Sequence, residues 1–62
     1  MITEQDTKAI KKLKVNEIYE TESFLCRRNK QDDYRVFLVS MVETTRHKNT
    51  NEVFTYLNGE IK

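Results

Sequence analysis

The feature that most constrains this chain is a nearly continuous apolar stretch within residues 34–45. Its apolar members are Val36, Phe37, Leu38, Val39, Met41 and Val42. Most of them are β-branched or aromatic, and polar clusters bound the stretch on both sides, which favours a strand. Because apolar residues fall on both alternating faces, we predict a central strand with both faces covered. A helix would cover one face, and the curled remainder of the sheet or a second copy of the chain would cover the other.

Other segments favour strands around this one. Residues 18–28 are rich in strand-forming residues and form either one bent strand or two. Polar segments at residues 29–33 and 46–51 read as connections. Residues 52–57 alternate as a strand would, and Asn58-Gly59 is the strongest hairpin signal in the chain. We therefore predict a short final strand over residues 60–62.

The N-terminal residues 3–14 predict a short helix. Thr3 is a good N-cap, and Asp6 three residues later resembles a capping box. Ala9, Ile10 and Leu13 recur at helical spacing. This apolar stripe is narrow, so the helix can cover one edge of a core but cannot form a core alone.

Together these elements predict one α+β domain over residues 1–62. A short N-terminal helix (3–14) is followed by a four- to five-stranded antiparallel meander (15–62), because the connections are too short for parallel crossovers. The meander either curls toward a half-open barrel of the SH3-like kind or stays open with the helix on one face.

The composition of the chain argues against several classes of protein. The chain has 62 residues, a net charge of +1, one Cys and one His, which excludes an internal disulfide framework and a four-ligand zinc site. No apolar run approaches the roughly 20 residues that span a bilayer, and the N-terminal residues are polar, so we expect a soluble cytoplasmic protein. A domain that binds nucleic acid usually carries a larger basic excess. A chain this short buries only about 60% of its unfolded surface, so we also expect a homo-oligomer, a dimer or higher.

A partial resemblance rests on residues 34–36 (Tyr-Arg-Val), His47 and residues 52–56 (Glu-Val-Phe-Thr-Tyr). This pattern resembles short bacterial and phage β-domains, and residues 15–19 look like the opening strand of small barrels, where Gly often stands at the position of Asn16. The chain lacks the Trp and the basic closing segment that such domains often have. The resemblance implies the fold more than the function. With the small size and the Lys/Asn/Glu-rich composition, it implies a phage-type accessory protein that binds a host protein in the host cytoplasm.

Catalysis is not predicted, because the chain has no Gly-rich phosphate loop, no serine elbow and no metal-ligand spacing. No cofactor motif is present either. Cys26 is interpreted as a small apolar strand residue on the face of Phe24, rather than a nucleophile activated by neighbouring arginines. His47 is interpreted as a solvated loop residue rather than a general base.

Two surfaces are candidate binding sites. The first is a basic rim for a nucleotide, another anion or a nucleic-acid backbone, since Arg forks suit phosphates and Tyr offers a stacking face. Its candidate residues are Arg27, Arg28, Tyr34, Arg35 and His47. The second is an apolar or aromatic protein interface at Met41, Phe54 and Tyr56.

The leading hypothesis is a small non-enzymatic protein that inhibits or modulates a host protein by direct contact. One alternative is an oligomeric module that binds or sequesters a nucleotide or other anion. Another is an RNA- or DNA-binding β-module.

Overall fold

The computed structural model describes residues 2–61, which form helices at both ends of the chain and a sheet between them. In chain order the elements are α1 (Glu4–Lys11), β1 (Ile18–Glu20), β2 (Phe24–Lys30), β3 (Asp33–Leu38), β4 (Glu43–His47) and α2 (Thr50–Glu60). The strands form one antiparallel sheet in the order β1-β2-β3-β4. The predicted α+β class, with an N-terminal helix and an antiparallel meander, is confirmed. The sheet is open, with β1 and β4 at opposite edges, so it does not close into a barrel.

Helix α1 begins at the predicted capping box. Thr3 Oγ1 accepts a hydrogen bond from the Asp6 backbone N–H at 3.0 Å, and the Asp6 carboxylate accepts one from the Thr3 N–H, also at 3.0 Å. These bonds satisfy donors that the first turn of a helix leaves unpaired. The helix ends at Lys11, earlier than the predicted end at residue 14, and Leu13 enters the core from the following loop.

The segment over residues 18–28, for which one bent strand or two remained open, forms the two strands β1 and β2. A tight turn separates them. The Thr21 hydroxyl accepts hydrogen bonds from the N–H groups of Ser23 and Phe24, each at 3.2 Å. These side-chain bonds compete with the strand ladder and reverse the chain.

The single central strand predicted over residues 34–45 is wrong in its second half. Residues 39–42 form a turn, and β3 and β4 pair around it as a hairpin. Composition did not indicate this turn, because Val39, Met41 and Val42 are all residues typical of strands or cores. Val42 takes a left-handed backbone conformation with φ 48° in order to close it.

The largest correction concerns the C-terminal segment. The strand predicted over residues 52–57, the hairpin at Asn58-Gly59 and the final strand are wrong, because residues 50–60 form α2 and Ile61 is its C-cap. Gly59 has no positive φ, so it does not occupy the left-handed conformation that the hairpin would need. Lys62 lies outside the described residues.

Helix α2 forms here for two local reasons. Asn49 is its N-cap, and its Oδ1 accepts a hydrogen bond from the Glu52 N–H at 2.9 Å. Val53 and Leu57 are four residues apart and both fully buried, so they lie one turn apart on the same helix face. Burial of that face against the sheet stabilises the helix over the alternating strand pattern.

The hydrophobic core lies between the sheet and the two helices. Its buried members are Ile10, Leu13, Phe24, Cys26, Tyr34, Val36, Leu38, Val53 and Leu57. The strand residues among them alternate along β2 and β3, so they all lie on one side of the sheet. We call this side the covered face and the opposite side the open face. Neither helix in the described part of the chain has the length and apolar character needed to cross a membrane.

Candidate functional site

The open face presents side chains in rows that run across the strands. Residues paired between antiparallel strands stand side by side on the same face. Arg27 of β2 pairs with Arg35 of β3, which in turn pairs with Arg46 of β4. We call these three residues the arginine row, and Ile18 of β1 extends it at the edge by pairing with Arg27.

A second row lies two residues further along each strand and is centred on apolar side chains. Leu25 pairs with Phe37, and the outer positions are Glu20 on β1 and Thr44 on β4. Leu25 and Phe37 are half-buried although no helix covers them. We call them the central apolar pair.

Beyond this pair, the chain leaves the sheet in the β3–β4 turn, which is strongly apolar. Val39, Met41 and Val42 are 48%, 51% and 77% exposed. We call these three residues the hairpin tip. Val42 holds its left-handed backbone conformation although it is β-branched, a combination that costs roughly 1–2 kcal/mol. Strained residues of this kind are often found at ligand-binding sites.

Electrostatics in the arginine row depend on one carboxylate. Asp33 Oδ1 lies 3.2 Å from Arg35 Nε and 3.8 Å from Arg46 Nε, and Asp33 Oδ2 accepts a hydrogen bond from Asn29 Nδ2 at 3.3 Å. The hydrogen bond from Arg35 holds the pKa of Asp33 below its usual value, although burial opposes this effect. Arg27 has no carboxylate within salt-bridge distance among residues 2–61.

The five residues predicted for an anion site are divided between the two faces. Arg27 and Arg35 lie on the open face, whereas Arg28, Tyr34 and His47 lie on the covered face. A single small ligand therefore cannot contact all five.

Arg28 has a structural environment. Its guanidinium donates to the carbonyls of Leu13 at 2.7 Å and Gln31 at 3.0 Å, and it lies 5.2 Å from the centre of the Tyr34 ring. It thereby joins the loop after α1 to the β2–β3 turn. Tyr34 itself is only 4% exposed, so its ring offers no free stacking face to a base.

His47 is not the solvated loop residue that the sequence indicated. It ends β4, its Nε2 lies 2.7 Å from Thr45 Oγ1, and its ring is 4.9 Å from the Tyr56 ring. Burial lowers the pKa of His47, and the charge of Glu52 opposes this shift. The lowered pKa favours the uncharged form of the ring.

The predicted interface residues do not form one patch. Met41 lies in the hairpin tip, whereas Phe54 and Tyr56 lie on α2, half-buried against the core. Lys11 Nζ lies 5.9 Å from the centre of the Phe54 ring and partly covers it.

Cys26, the other reactive side chain considered from the sequence, has a structural role. Cys26 is fully buried on the face of Phe24, as predicted, and burial raises the pKa of its thiol to about 11. Within residues 2–61, no cluster of three or more His, Cys, Asp or Glu side chains is arranged to hold a metal ion.

Sequence reasoning missed the open face as a unit. The sequence pattern places Arg46 in a polar connection and Phe37 on a covered face of the central strand. Strict alternation would have found the grouping, since neighbours in a strand point to opposite sides. By that rule Arg27 cannot share a site with Arg28.

Comparisons with known proteins add no relative: no family model matches the chain, and no similar curated protein or solved structure was found.

Proposed function

We propose that this is a non-enzymatic binding protein that acts by direct contact with another protein, and that the open face and the hairpin tip form its binding surface. The observation that carries the proposal is the distribution of exposed apolar side chains. Within residues 2–61, five large hydrophobic residues are exposed. Ile18 lies on the open face, Val39, Met41 and Val42 form the hairpin tip, and Val15 lies elsewhere. Exposed apolar residues gathered in this way mark an interaction surface, whereas scattered ones do not.

The composition of the surface supports a protein partner. Arg and Phe are enriched at the centres of protein interfaces, where they contribute much of the binding energy. Here the central apolar pair lies directly beside the arginine row. Such an arrangement offers both an anchor for apolar side chains and donors for hydrogen bonds.

The dimensions of the face restrict the partner. Three strand spacings of about 4.8 Å, with a length of about 20 Å for β3 and less for the two edge strands, give a face of at most about 14 by 20 Å. A standard interface buries about 800 Å² on each side. The open face is smaller than that, so it suits a short segment of a partner better than a broad domain surface.

The alternative anion-binding or nucleic-acid-binding functions have less support. Three of the five residues predicted for them face the covered side, and the one aromatic ring of the central apolar pair is half-buried. Homo-oligomerisation, the host partner and the cytoplasmic location stay predictions. A second copy of the chain would bring the same arginines toward each other, which disfavours packing of two open faces.

A matched pair of variants tests the proposal. Val39 and Val15 are 48% and 47% exposed, but only Val39 belongs to the proposed surface. Random peptides of about 12 residues, long enough to cross the face, would be selected by display on the wild-type protein. Their affinities for Val39→Glu and Val15→Glu would then be measured by fluorescence anisotropy.

We expect Val39→Glu to weaken the selected peptides by about tenfold or more, because it places a charge in the apolar contact. Val15→Glu should change the affinities of the same peptides by less than about twofold. Amide chemical shifts of Leu25 and Phe37 should move on binding. Equal effects of the two variants, or shifts confined to the helices, would contradict the proposal.

A further inference from the structure

We infer that the arginine row recognises carboxylates, so that the partner of the open face is an acidic protein segment with apolar side chains beside its acidic ones. This inference rests on the function proposed above and names the chemistry of the partner. Three arginines on three adjacent strands stand in direct cross-strand register.

That register is unfavourable without an anion. The Cα atoms of paired residues in antiparallel strands lie about 4.5–5.5 Å apart, and like charges at such positions are destabilising. The register places Arg35 between two other arginines. Within residues 2–61, Asp33 is the only carboxylate in salt-bridge contact with the row, and it relieves part of the repulsion through its contacts with Arg35 and Arg46.

One carboxylate leaves most of the donors in the row free. Each guanidinium carries five N–H donors, and a carboxylate can accept two of them from one arginine in parallel. The side chain of Arg46 is 70% exposed, and Arg27 is exposed without a carboxylate partner in the described part of the chain. Both can therefore receive a carboxylate from outside.

The apolar side chains next to the arginine row favour a protein partner over a nucleic acid. The central apolar pair lies two residues along the strands, or about 7 Å, from the arginine row. A ligand that covers both rows must place anionic and apolar groups about that far apart. Acidic and aliphatic side chains of a peptide do this, whereas a nucleic acid would need exposed aromatic faces for its bases. The net charge of +1 also gives little general attraction for a polyanion.

The experiment uses the peptides selected by display on the wild-type protein. We expect them to be enriched in Asp and Glu next to Leu, Ile or Phe. Arg27→Glu and Arg46→Glu should each lower the affinity of these peptides by about tenfold, because each removes roughly one charge-assisted contact. Lys12→Glu is the matched control, because it makes the same charge change at the exposed C-cap of α1 and should lower the affinity by less than about threefold. Circular dichroism would confirm that each variant is folded.

A charge exchange tests direct contact. Peptides in which the selected Glu residues are replaced by Lys should bind the Arg27→Glu, Arg46→Glu double variant more tightly than they bind the wild-type protein. A general field effect would not produce this reversal, and Lys12→Glu should not produce it either.

The other outcomes each overturn the inference in a distinct way. Peptides without acidic enrichment that still lose affinity on Val39→Glu would refute the carboxylate role and leave the proposed function standing. Peptides insensitive to Val39→Glu would refute both. An oligothymidine that binds with a steep salt dependence and loses affinity on Arg27→Glu would show a nucleic-acid surface instead. A dimer in sedimentation that dissociates on Arg27→Glu would show a second copy of the chain, and a failure to select any peptide would also refute the inference.

Discussion

Replacing Gly59 by alanine is expected to stabilise the domain, because this glycine lies in a helix. It is the next-to-last residue of α2, its φ is not positive, and an added Cβ would meet nothing within 4 Å. Alanine therefore fits without steric conflict and restricts the unfolded chain more than glycine does. In a hairpin turn at Asn58-Gly59 the same substitution would instead force alanine into a left-handed conformation.

A helix and a hairpin at this position predict opposite signs for the change in unfolding free energy on Gly59→Ala. Glycine is about 1 kcal/mol less favourable than alanine inside a helix. Because Gly59 is near the end of α2, about half of that gain is expected, or about 0.5 kcal/mol. For a domain of this size that corresponds to a rise in Tm of about 2–4 °C. In the hairpin, the left-handed alanine would lower stability by roughly 1–2 kcal/mol.

Thr55→Ala provides an independent check in the same segment. Thr55 is exposed in the middle of α2, where alanine is the better helix former and should add up to about 0.5 kcal/mol. In a strand threonine is the better residue, so the substitution would destabilise. Urea and thermal unfolding followed by circular dichroism would measure both variants. A loss of stability in both would refute the helical C-terminus.

Three further predictions concern the covered face. Cys26 should react with a thiol reagent such as DTNB only after unfolding, because it is fully buried and its pKa is raised to about 11; rapid labelling of the native protein at neutral pH would contradict its place in the core. The unfolding free energy should fall as the pH drops below about 6.5, because the pKa of His47 is lowered by burial and the unfolded state takes up its proton first. His47→Gln should remove this decrease, and an unchanged pH profile in urea titrations would refute its origin. Arg28→Met should lower the unfolding free energy by about 1–3 kcal/mol through loss of its hydrogen bonds to two backbone carbonyls, and a neutral result in urea unfolding would show that those bonds contribute little.

The N-terminal helix and the antiparallel meander could be predicted because their signals are local. The capping box of Thr3 and Asp6 needs only a few residues, and the alternation along β2 and β3 follows directly from burial on one side. The turn at residues 39–42 could not be predicted, since its residues are those that strands prefer. The pairing of β3 with β4 determines it instead.

The C-terminal helix shows how two periods can compete in one segment. Residues 53, 55 and 57 satisfy a strand pattern, while Val53 and Leu57 also satisfy a helical one. The deciding signal was Asn49 followed by Glu52, a pair typical of a helix start. One bond of a capping box forms, in which Asn49 Oδ1 accepts from the Glu52 N–H. The Glu52 carboxylate accepts from the N–H of Lys48, the residue before the N-cap, at 3.1 Å.

The division of the sheet into a covered and an open face separates the packed core from the proposed binding surface. All of the buried core residues lie on or against the covered face, so packing there determines whether the chain folds. The open face contributes little to that core, yet it aligns Arg27, Arg35 and Arg46, and the hairpin tip at its end exposes Val39. Folding alone would favour neither like charges in register nor apolar residues in water. A contact made after folding explains both, because an acidic and apolar partner segment would neutralise the arginines and cover the apolar side chains in one step.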